Sequence, residues 1–402
     1  MLSRWGRSVV LALLVSSTST AFTQEVTSPA TPATPATPVE NGPVVYQAEP
    51  AGNSTRWYAG VDVLWLARDY PQNVHLAQTV VLDSNFRPVP LAGAPVLTVG
   101  NVTDATAQPG MRVNLGYRIT ESASIELGYF GLQQWNGVAG IPAGDPPFAN
   151  SPFLGSSIIY GNKSFDTSIT ARYSSEIHNA EVNLRKSFDA GDWNASVLGG
   201  FRYFNLSEQF CLTGLQTFPN LPQGPPPPSQ TIVEHTSATT NNNLFGAQIG
   251  GEIGRAWFNN RFGLSANGKV GIFANSASQE TTNGARLFTG GGIGTTTLAA
   301  GHGSTDFASL YEGGITATLR VTSRIRVRGG YQVLFVQGLA LAPTQLAATG
   351  TAIQKSSLLV PGSFMPFPPP PSTLPPPGTG SGLNTNGNLL LHGPFVGVDV
   401  AY

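Results

Sequence analysis

Apolar and polar residues alternate with a period of two along most of the chain from Trp57 onward. The clearest stretch, residues 111–119, sets Met, Val, Leu, Tyr and Ile against Arg, Asn, Gly and Arg. In a β-strand this alternation puts the apolar side chains on one face and the polar side chains on the other. Helical periodicity is not evident over any long stretch. The pattern therefore predicts an all-β protein.

About ten segments carry the pattern, and a tilted strand of about 9 to 11 residues is long enough to cross a membrane. They are residues 57–65, 111–119, 125–129, 180–188, 193–207, 244–258, 262–274, 307–321, 325–337 and 392–402. Residues 74–82 and 96–102 carry a weaker version and would add one hairpin. We therefore predict about 10 to 12 strands.

The connections between these segments alternate between short and long. The short ones are residues 120–122, 189–192, 259–261 and 322–324, and the long ones are residues 68–110, 136–175, 208–243, 275–306 and 338–391. Short turns on one side and long loops on the other are typical of outer-membrane barrels, with both termini on the periplasmic side. The predicted fold is a single antiparallel transmembrane β-barrel with short periplasmic turns and long external loops.

The N-terminal part of the chain has a different texture. Residues 1–21 combine Arg4 and Arg7, an apolar run and small residues near position 20, which predicts a cleaved secretory signal peptide and export to the outer membrane. Residues 22–55 are rich in Pro, Thr and Ala and predict a periplasmic tether, so the barrel is expected over residues 56–402. Two Pro-rich stretches, residues 223–229 and 366–377, fall in predicted external loops, because proline cannot donate to a sheet ladder.

In a membrane-spanning barrel the two faces of each strand have different surroundings. In hydrocarbon every backbone group must be paired, so the sheet has to close, with apolar side chains toward lipid and polar ones toward the lumen. The charged residues predicted to line the lumen are Asp62, Arg112, Arg118, Glu126, Glu181, Arg185, Arg202, Glu252, Lys269, Glu312, Arg320, Arg326, Arg328 and Asp399. We expect ion-pair networks, which either select solutes or simply fill a narrow barrel. Leu64, Leu66 and Leu198 share this face and indicate a partly packed interior.

Aromatic residues cluster near the predicted strand ends, as in the belts that outer-membrane barrels place at the two headgroup levels. They are Trp57, Trp135, Trp193, Tyr203, Trp257, Phe258, Phe262 and Tyr331. The expected partner along this surface is outer-membrane lipid. The last strand alternates and ends on aromatic Tyr402, which resembles the C-terminal signal read by the barrel assembly machinery.

Composition argues against several other functions. The chain has 21 Lys+Arg against 22 Asp+Glu, a net charge of -1, so no basic field attracts nucleic acid. Its five His residues show no metal-ligand spacing, and no cofactor motif is present. Ser174 and His178 would lie about 13 Å apart on one strand, too far for a catalytic pair. The single Cys211 cannot form an internal disulfide. We do not expect an enzyme.

Several segments carry a family resemblance. They are Trp57-Tyr-Ala-Gly-Val-Asp-Val-Leu-Trp65, Asn183-Leu-Arg-Lys-Ser-Phe188 with Gly199-Gly-Phe-Arg-Tyr-Phe204, Leu244-Phe-Gly-Ala-Gln-Ile-Gly-Gly-Glu252, Gly329-Gly-Tyr-Gln332 and His392-Gly-Pro-Phe-Val-Gly397. They resemble a β-barrel porin family known mainly from planctomycete bacteria, over almost all of the chain after the tether. The resemblance implies an outer-membrane barrel and supplies no catalytic or binding residues.

Together these patterns predict a porin for passive diffusion of small solutes or ions. The alternative is a structural or adhesive surface barrel that acts through its long external loops. A membrane hydrolase is the weakest hypothesis.

Overall fold

A computed structural model describes residues 56–69, 75–82, 88–90, 96–103, 107–142, 148–150, 166–218, 230–289, 292–349 and 383–402. The predicted signal peptide and tether lie outside these ranges, as do both Pro-rich stretches. Helices in the described ranges are all too short or too polar to cross a membrane.

Ten antiparallel strands close into a ring, which confirms the predicted fold class. In ring order they are β1 (Trp57–Asp69), β5 (Gln108–Arg118), β6 (Ala123–Ile141), β8 (Asp166–Ala190), β9 (Trp193–Phe218), β10 (Gln230–Trp257), β11 (Phe262–Thr289), β12 (Gly292–Arg320), β13 (Ile325–Leu339) and β14 (Gly387–Ala401). The ring closes where β14 pairs with β1, with Val398 opposite Val61. The C-terminal strand therefore completes the barrel.

The extra hairpin is not part of the barrel, so the twelve-strand alternative is wrong. A separate small sheet contains β2 (His75–Leu82), β3 (Pro88–Pro90), β4 (Val96–Thr98) and β7 (Phe148–Asn150), and β4 leads into the short helix α1 (Val99–Val102). Three of these four strands have three residues each, too short to cross a membrane. The small sheet and α1 bury Leu76, Leu97 and Val99, and α1 contacts β6 and β8.

The four predicted tight turns are confirmed. Residues 119–122, 191–192, 258–261 and 321–324 join consecutive barrel strands on one side of the ring. Thr120 and Thr322 accept hydrogen bonds from the amides of Ala123 and Ile325 through their hydroxyls, which fixes two of these turns.

Two of the predicted long loops are mostly strand. Strands β9 to β12 are 26 to 29 residues long, far more than about 9 to 11 needed to cross a membrane. Residues 208–218, 230–243, 275–289 and 292–306 thus belong to strands that continue past the apolar band. Most of their outward positions carry Thr, Ser, Asn and Gly, because that face meets water there. Apolar alternation therefore stops before the strand does.

The outward face of the barrel carries a band of exposed apolar residues. Val61, Val113, Leu184, Ile249 and Ile315 all keep more than a third of their surface accessible. A soluble protein would bury such a continuous band, so it marks the lipid-facing surface.

Most of the predicted belt aromatics lie on this outward face, but Trp135 does not. It is only 4% exposed and belongs to the packed interior. The pairing of β6 with β8 shifts register between Leu132 and Trp135. Because a bulge inserts extra residues into one strand, the side chains beyond it change face. The assignment of Trp135 to a belt is therefore wrong.

Proline also occurs within a barrel strand. Pro394 lies in β14 opposite Tyr331 of β13. On its other side, the pairing of β14 with β1 is interrupted between the Leu64–Phe395 pair and the Ala67–His392 pair. A residue without an N–H is tolerated at such an interruption, so the rule that kept proline out of spanning strands does not hold here.

Candidate functional site

The fourteen charged residues predicted to line the lumen all lie on inward-facing strand positions. Twelve of them border one small cavity or contact its lining: Asp62, Arg112, Glu126, Glu181, Arg185, Arg202, Glu252, Lys269, Glu312, Arg326, Arg328 and Asp399. Arg118 and Arg326 border a recess next to the short turns, and Arg320 pairs across from Arg326. The charges therefore gather in the half of the lumen nearest the short turns.

Asp62 joins two arginines at the centre of this half. Its carboxylate is completely buried and accepts from Arg112 Nε at 2.6 Å and Arg328 Nε at 2.7 Å. Arg328 also reaches Asp399 at 3.0 Å, and Arg112 donates to the Gln332 side chain at 2.7 Å. A Cβ at Gly397 would lie 2.0 Å from Asp62 Oδ1, so only glycine leaves room for this carboxylate.

A second group joins β8, β9, β11 and β12 across the lumen. Arg202 donates to Glu312 at 2.7 Å, and Lys269 donates to Glu181 at 2.7 Å. The longer cross pairs are Arg202 to Glu181 at 3.9 Å and Lys269 to Glu312 at 3.7 Å. Gln248 completes the group by donating to Glu181 at 2.7 Å. Two cations and two anions thus neutralise one another.

A third group lies nearer the short turns. Arg185 is held by Glu126 at 2.8 Å and by Glu252 at 3.2 Å. Tyr58 donates to Glu126 at 2.8 Å, and its ring lies over Gly116, where a Cβ would come within 2.0 Å of the phenol ring. Glycine is required at that close approach.

These three groups surround a cavity of about 140 Å³. Water needs only about 10 to 15 Å³ of such space per molecule, so the cavity has room for several waters. Both signs of charge face it, and Leu198 borders it as the inward leucine predicted from sequence.

Above the charged layer the lumen is filled by apolar side chains. Every barrel strand except β5 contributes, and each of these residues is at most 3% exposed. They are Leu64, Leu66, Leu132, Ile177, Phe204, Leu206, Leu244, Phe273, Leu310, Leu334, Val336 and Leu391. Side chains that line an aqueous bore keep accessible surface, and these do not. The lumen is closed at this level.

A segment after β13 closes the lumen further. Gly338 has φ +86°, and a Cβ there would lie 2.4 Å from the Phe307 carbonyl oxygen. At this glycine the chain turns inward, and the helix α2 (Ala342–Thr349) packs against β9, β10 and β11. Leu339, Leu341 and Leu346 are fully buried. We call residues 338–349, which begin with the last two residues of β13, the stopper.

Side chains of the barrel hold the backbone of the stopper. Asn242 accepts from the Ala340 amide at 2.7 Å and donates to the Ala340 carbonyl at 2.8 Å. Asn275 donates to the Gly338 carbonyl at 2.8 Å. Glu208 accepts from the Ala342 amide at 2.8 Å and is itself paired with Arg68. Neutral side chains thus make most of these contacts.

Sequence reasoning missed Arg68, Glu208 and the stopper. Arg68 has the same parity as Leu64 and Leu66, so continuing β1 by three residues would have found it. Glu208 and residues 338–349 were assigned to loops, and no pattern in residues 338–349 distinguishes an inward segment from an external one. Gln248 and Gln332 were overlooked because only charged residues were considered.

Several solved outer-membrane barrels resemble the chain in shape. The outer membrane protease OmpT from Escherichia coli matches at 9% identity with a TM-score of 0.36, covering 86% of this chain and 97% of that one. A Pseudomonas aeruginosa FadL homologue matches at 9% identity with a TM-score of 0.22, covering 86% and 90%. The P. putida toluene transporter TodX matches at 8% identity with a TM-score of 0.20, covering 88% and 92%.

Curated proteins yield no match. The family described as Putative beta barrel porin-7 matches residues 83–365, more than half of the chain. That match agrees with the closed ring of antiparallel strands and its lipid-facing band. The chain is an outer-membrane β-barrel protein and belongs to the Putative beta barrel porin-7 family.

Proposed function

We propose that this protein is a porin for passive diffusion of small solutes or ions whose lumen is closed at rest and opens when the stopper leaves and the apolar side chains beneath it move aside. The proposal rests on where the lumen is closed. A charged, cavity-containing half-lumen ends beneath an apolar layer, and the upper part of that layer is covered by the stopper, whose residues from Ala340 onward lie outside the barrel strands.

The stopper is separable from the barrel wall. Its contacts with Asn242, Asn275 and Glu208 are side chain to backbone, and each neutral bond contributes about 0.5–1.5 kcal/mol net. The ladders that close the ring run between the ten strands and do not involve α2. The part of the stopper beyond Leu339 can therefore leave without opening the sheet. Three buried leucines hold it, at about 1.5–3 kcal/mol each, which favours the closed state.

A reversible cross-link tests the proposal. Asn242 and Ala340 already share two hydrogen bonds, so Asn242→Cys with Ala340→Cys, in a Cys211→Ser background, places two thiols face to face. In planar bilayers the oxidised protein should be silent. The reduced protein should show discrete conductance steps, because the amide of residue 242 no longer holds the stopper. Equal currents in both states would reject the proposal, and Cys211→Ser alone is the matched control.

The second candidate is a structural or adhesive surface barrel. The length of β9 to β12 favours it, because these strands rise well beyond the apolar band with a polar outer face. Deleting residues 281–300 shortens the β11–β12 hairpin symmetrically in register. This candidate would be supported over the porin if the deletion abolished binding to cells or to the envelope while the shortened barrel still folded, and if the cross-link variant gave no current in either redox state.

We further propose that the protein has no catalytic activity. His178, which follows the candidate Ser174 by four residues in the sequence, bonds to Tyr129 at 2.8 Å and Glu176 at 3.0 Å. Neither partner is a nucleophilic serine. Turnover of ester or lipid substrates by the purified barrel would overturn this.

The assembly machinery remains the proposed partner of β14. This strand forms the closing seam with β1, and Tyr402 follows it. Tyr402→Ala should slow insertion without changing the folded barrel, and unchanged assembly kinetics would remove the support for a C-terminal signal.

A further inference from the structure

The inner face of β10 and β11, beyond the apolar layer, carries a row of uncharged polar side chains. On β10 the inward positions next to the apolar layer are Thr236, Ala238, Thr240 and Asn242, with the charged Glu234 beyond them, and on β11 they are Asn275, Ala277, Gln279 and Thr281. Thr240 pairs across from Gln279, and Ala238 pairs across from Thr281. At strand rise, residues 275 to 281 span about 20 Å. We call these eight residues the polar row.

Several groups in the polar row are buried without a hydrogen-bond partner. They are Thr240 Oγ1, Thr281 Oγ1, Asn275 Oδ1 and both side-chain polar atoms of Gln279. All four residues are at most 4% exposed. Native proteins pair nearly all buried polar atoms, so five unpaired atoms on one patch need an explanation. Donors and acceptors are both represented among them.

The polar row already forms hydrogen bonds with uncharged groups, which are the backbone amides and carbonyls of the stopper. Asn242 makes a donor and an acceptor bond to Ala340, and Asn275 donates to the Gly338 carbonyl. α2 packs against β10 and β11, so the stopper covers the row while satisfying only its lower end. The atoms left unpaired extend from that end toward the far side of the barrel.

We propose that the polar row is a binding site for uncharged, hydroxyl-rich solutes such as oligosaccharides, which enter when the stopper leaves. This rests on the porin function proposed above and names its substrate class. Hydroxyl groups both donate and accept, as Gln279, Thr240 and Thr281 require. An ion-selective site would instead use charged side chains, and the row has none. The nearby Glu208 is neutralised by Arg68.

The test uses a stopper-opened barrel, Leu341→Ser with Leu346→Ser, and maltotriose as the probe. Ion current is recorded in planar bilayers, and maltotriose binding is measured by calorimetry on the same protein in detergent. We expect maltotriose to interrupt the current and to bind. Adding Gln279→Leu and Thr240→Val should weaken binding roughly tenfold, as expected when one or two neutral hydrogen bonds are lost. The matched control, Ser278→Ala with Thr239→Val, changes the outward face of the same strands and should leave binding unchanged.

The possible outcomes separate the two proposals. Current without maltotriose binding, or binding unaffected by Gln279→Leu and Thr240→Val, overturns the solute site and leaves the porin intact. Binding that depends on Gln279 and Thr240 without any current supports the site and overturns the porin. Neither current nor binding overturns both.

Discussion

The charge at Asp62 offers the sharpest test of the packed lumen. Its carboxylate is completely buried and accepts from two arginines, at 2.6 Å from Arg112 and 2.7 Å from Arg328. In Asp62→Asn one carboxylate oxygen becomes an NH₂ group that faces an arginine N–H, so donor meets donor. Arg328 keeps Asp399, whereas Arg112 keeps only Gln332 and the ring of Phe395. Removing one partner of a buried ion pair costs about 3–5 kcal/mol.

The assay is reversible urea unfolding of the barrel in detergent micelles, read by heat-modifiable gel migration. Asp192→Asn is the matched control, because Asp192 pairs with Arg255 at 2.7 Å but is 76% exposed. Exposed pairs contribute about 0–1 kcal/mol, so this control should hardly move the transition. A double-mutant cycle with Arg112→Gln should give a coupling of about 0.5–3 kcal/mol. If Asp62→Asn unfolds at the same urea concentration as Asp192→Asn, the buried network does not stabilise the barrel as argued.

Three further predictions follow from the stopper and the bulge. Gly338→Ala forces a Cβ to within 2.4 Å of the Phe307 carbonyl oxygen at φ +86°, at a cost of about 1–3 kcal/mol, so single-channel openings should become more frequent; an unchanged open fraction would contradict the inward turn. Gln279→Leu alone removes two unpaired buried atoms, each costing about 1–3 kcal/mol, so it should make the closed state more stable in urea; destabilisation would mean that Gln279 has partners. Trp135→Ala should lose about 3–5 kcal/mol of stability in the same assay while the lipid-facing Trp193→Ala loses much less; equal losses would argue against the bulge.

The barrel itself was predictable because lipid requires a simple alternation of apolar and polar residues in each spanning segment. In β5, residues 111–118 alternate without error, and the structure keeps that register against β1 and β6. The tight turn at 258–261 could be placed because β10 ends at Trp257 and β11 begins at Phe262, which are both aromatic belt residues. Within the band, one face meets hydrocarbon and the other meets the lumen. Whether a residue has an odd or an even position along the strand is therefore enough to assign its side chain to one of the two faces.

This alternation no longer predicts the structure where the surroundings of the strand change. Past the band the outward face meets water, so β10 and β11 continue as Thr, Ser and Asn, and alternation no longer separates strand from loop. At Trp135 one extra residue in β6 reverses the parity, and nothing in the local sequence marks the bulge. The direction of the stopper depends on contacts with Asn242 and Glu208, which are about a hundred residues away in sequence. Long-range packing of that kind leaves no periodic signal.

The charged residues show both what the sequence predicts and what it does not. Parity placed Arg202, Lys269 and Glu312 on the inner face, and the structure brings them together across the lumen from β9, β11 and β12. Which anion pairs with which cation follows from strand register across the ring, which sequence alone does not supply. Whether these charges line a working conduit stays a prediction.

Closure of the lumen by the apolar layer and the stopper is most directly tested by thiol labelling at Ala308, which is 1% exposed on β12. In a Cys211→Ser background, Ala308→Cys should resist a membrane-impermeant maleimide and should become labelled once Leu341→Ser and Leu346→Ser open the stopper. Rapid labelling of Ala308→Cys with the stopper intact would contradict a closed lumen.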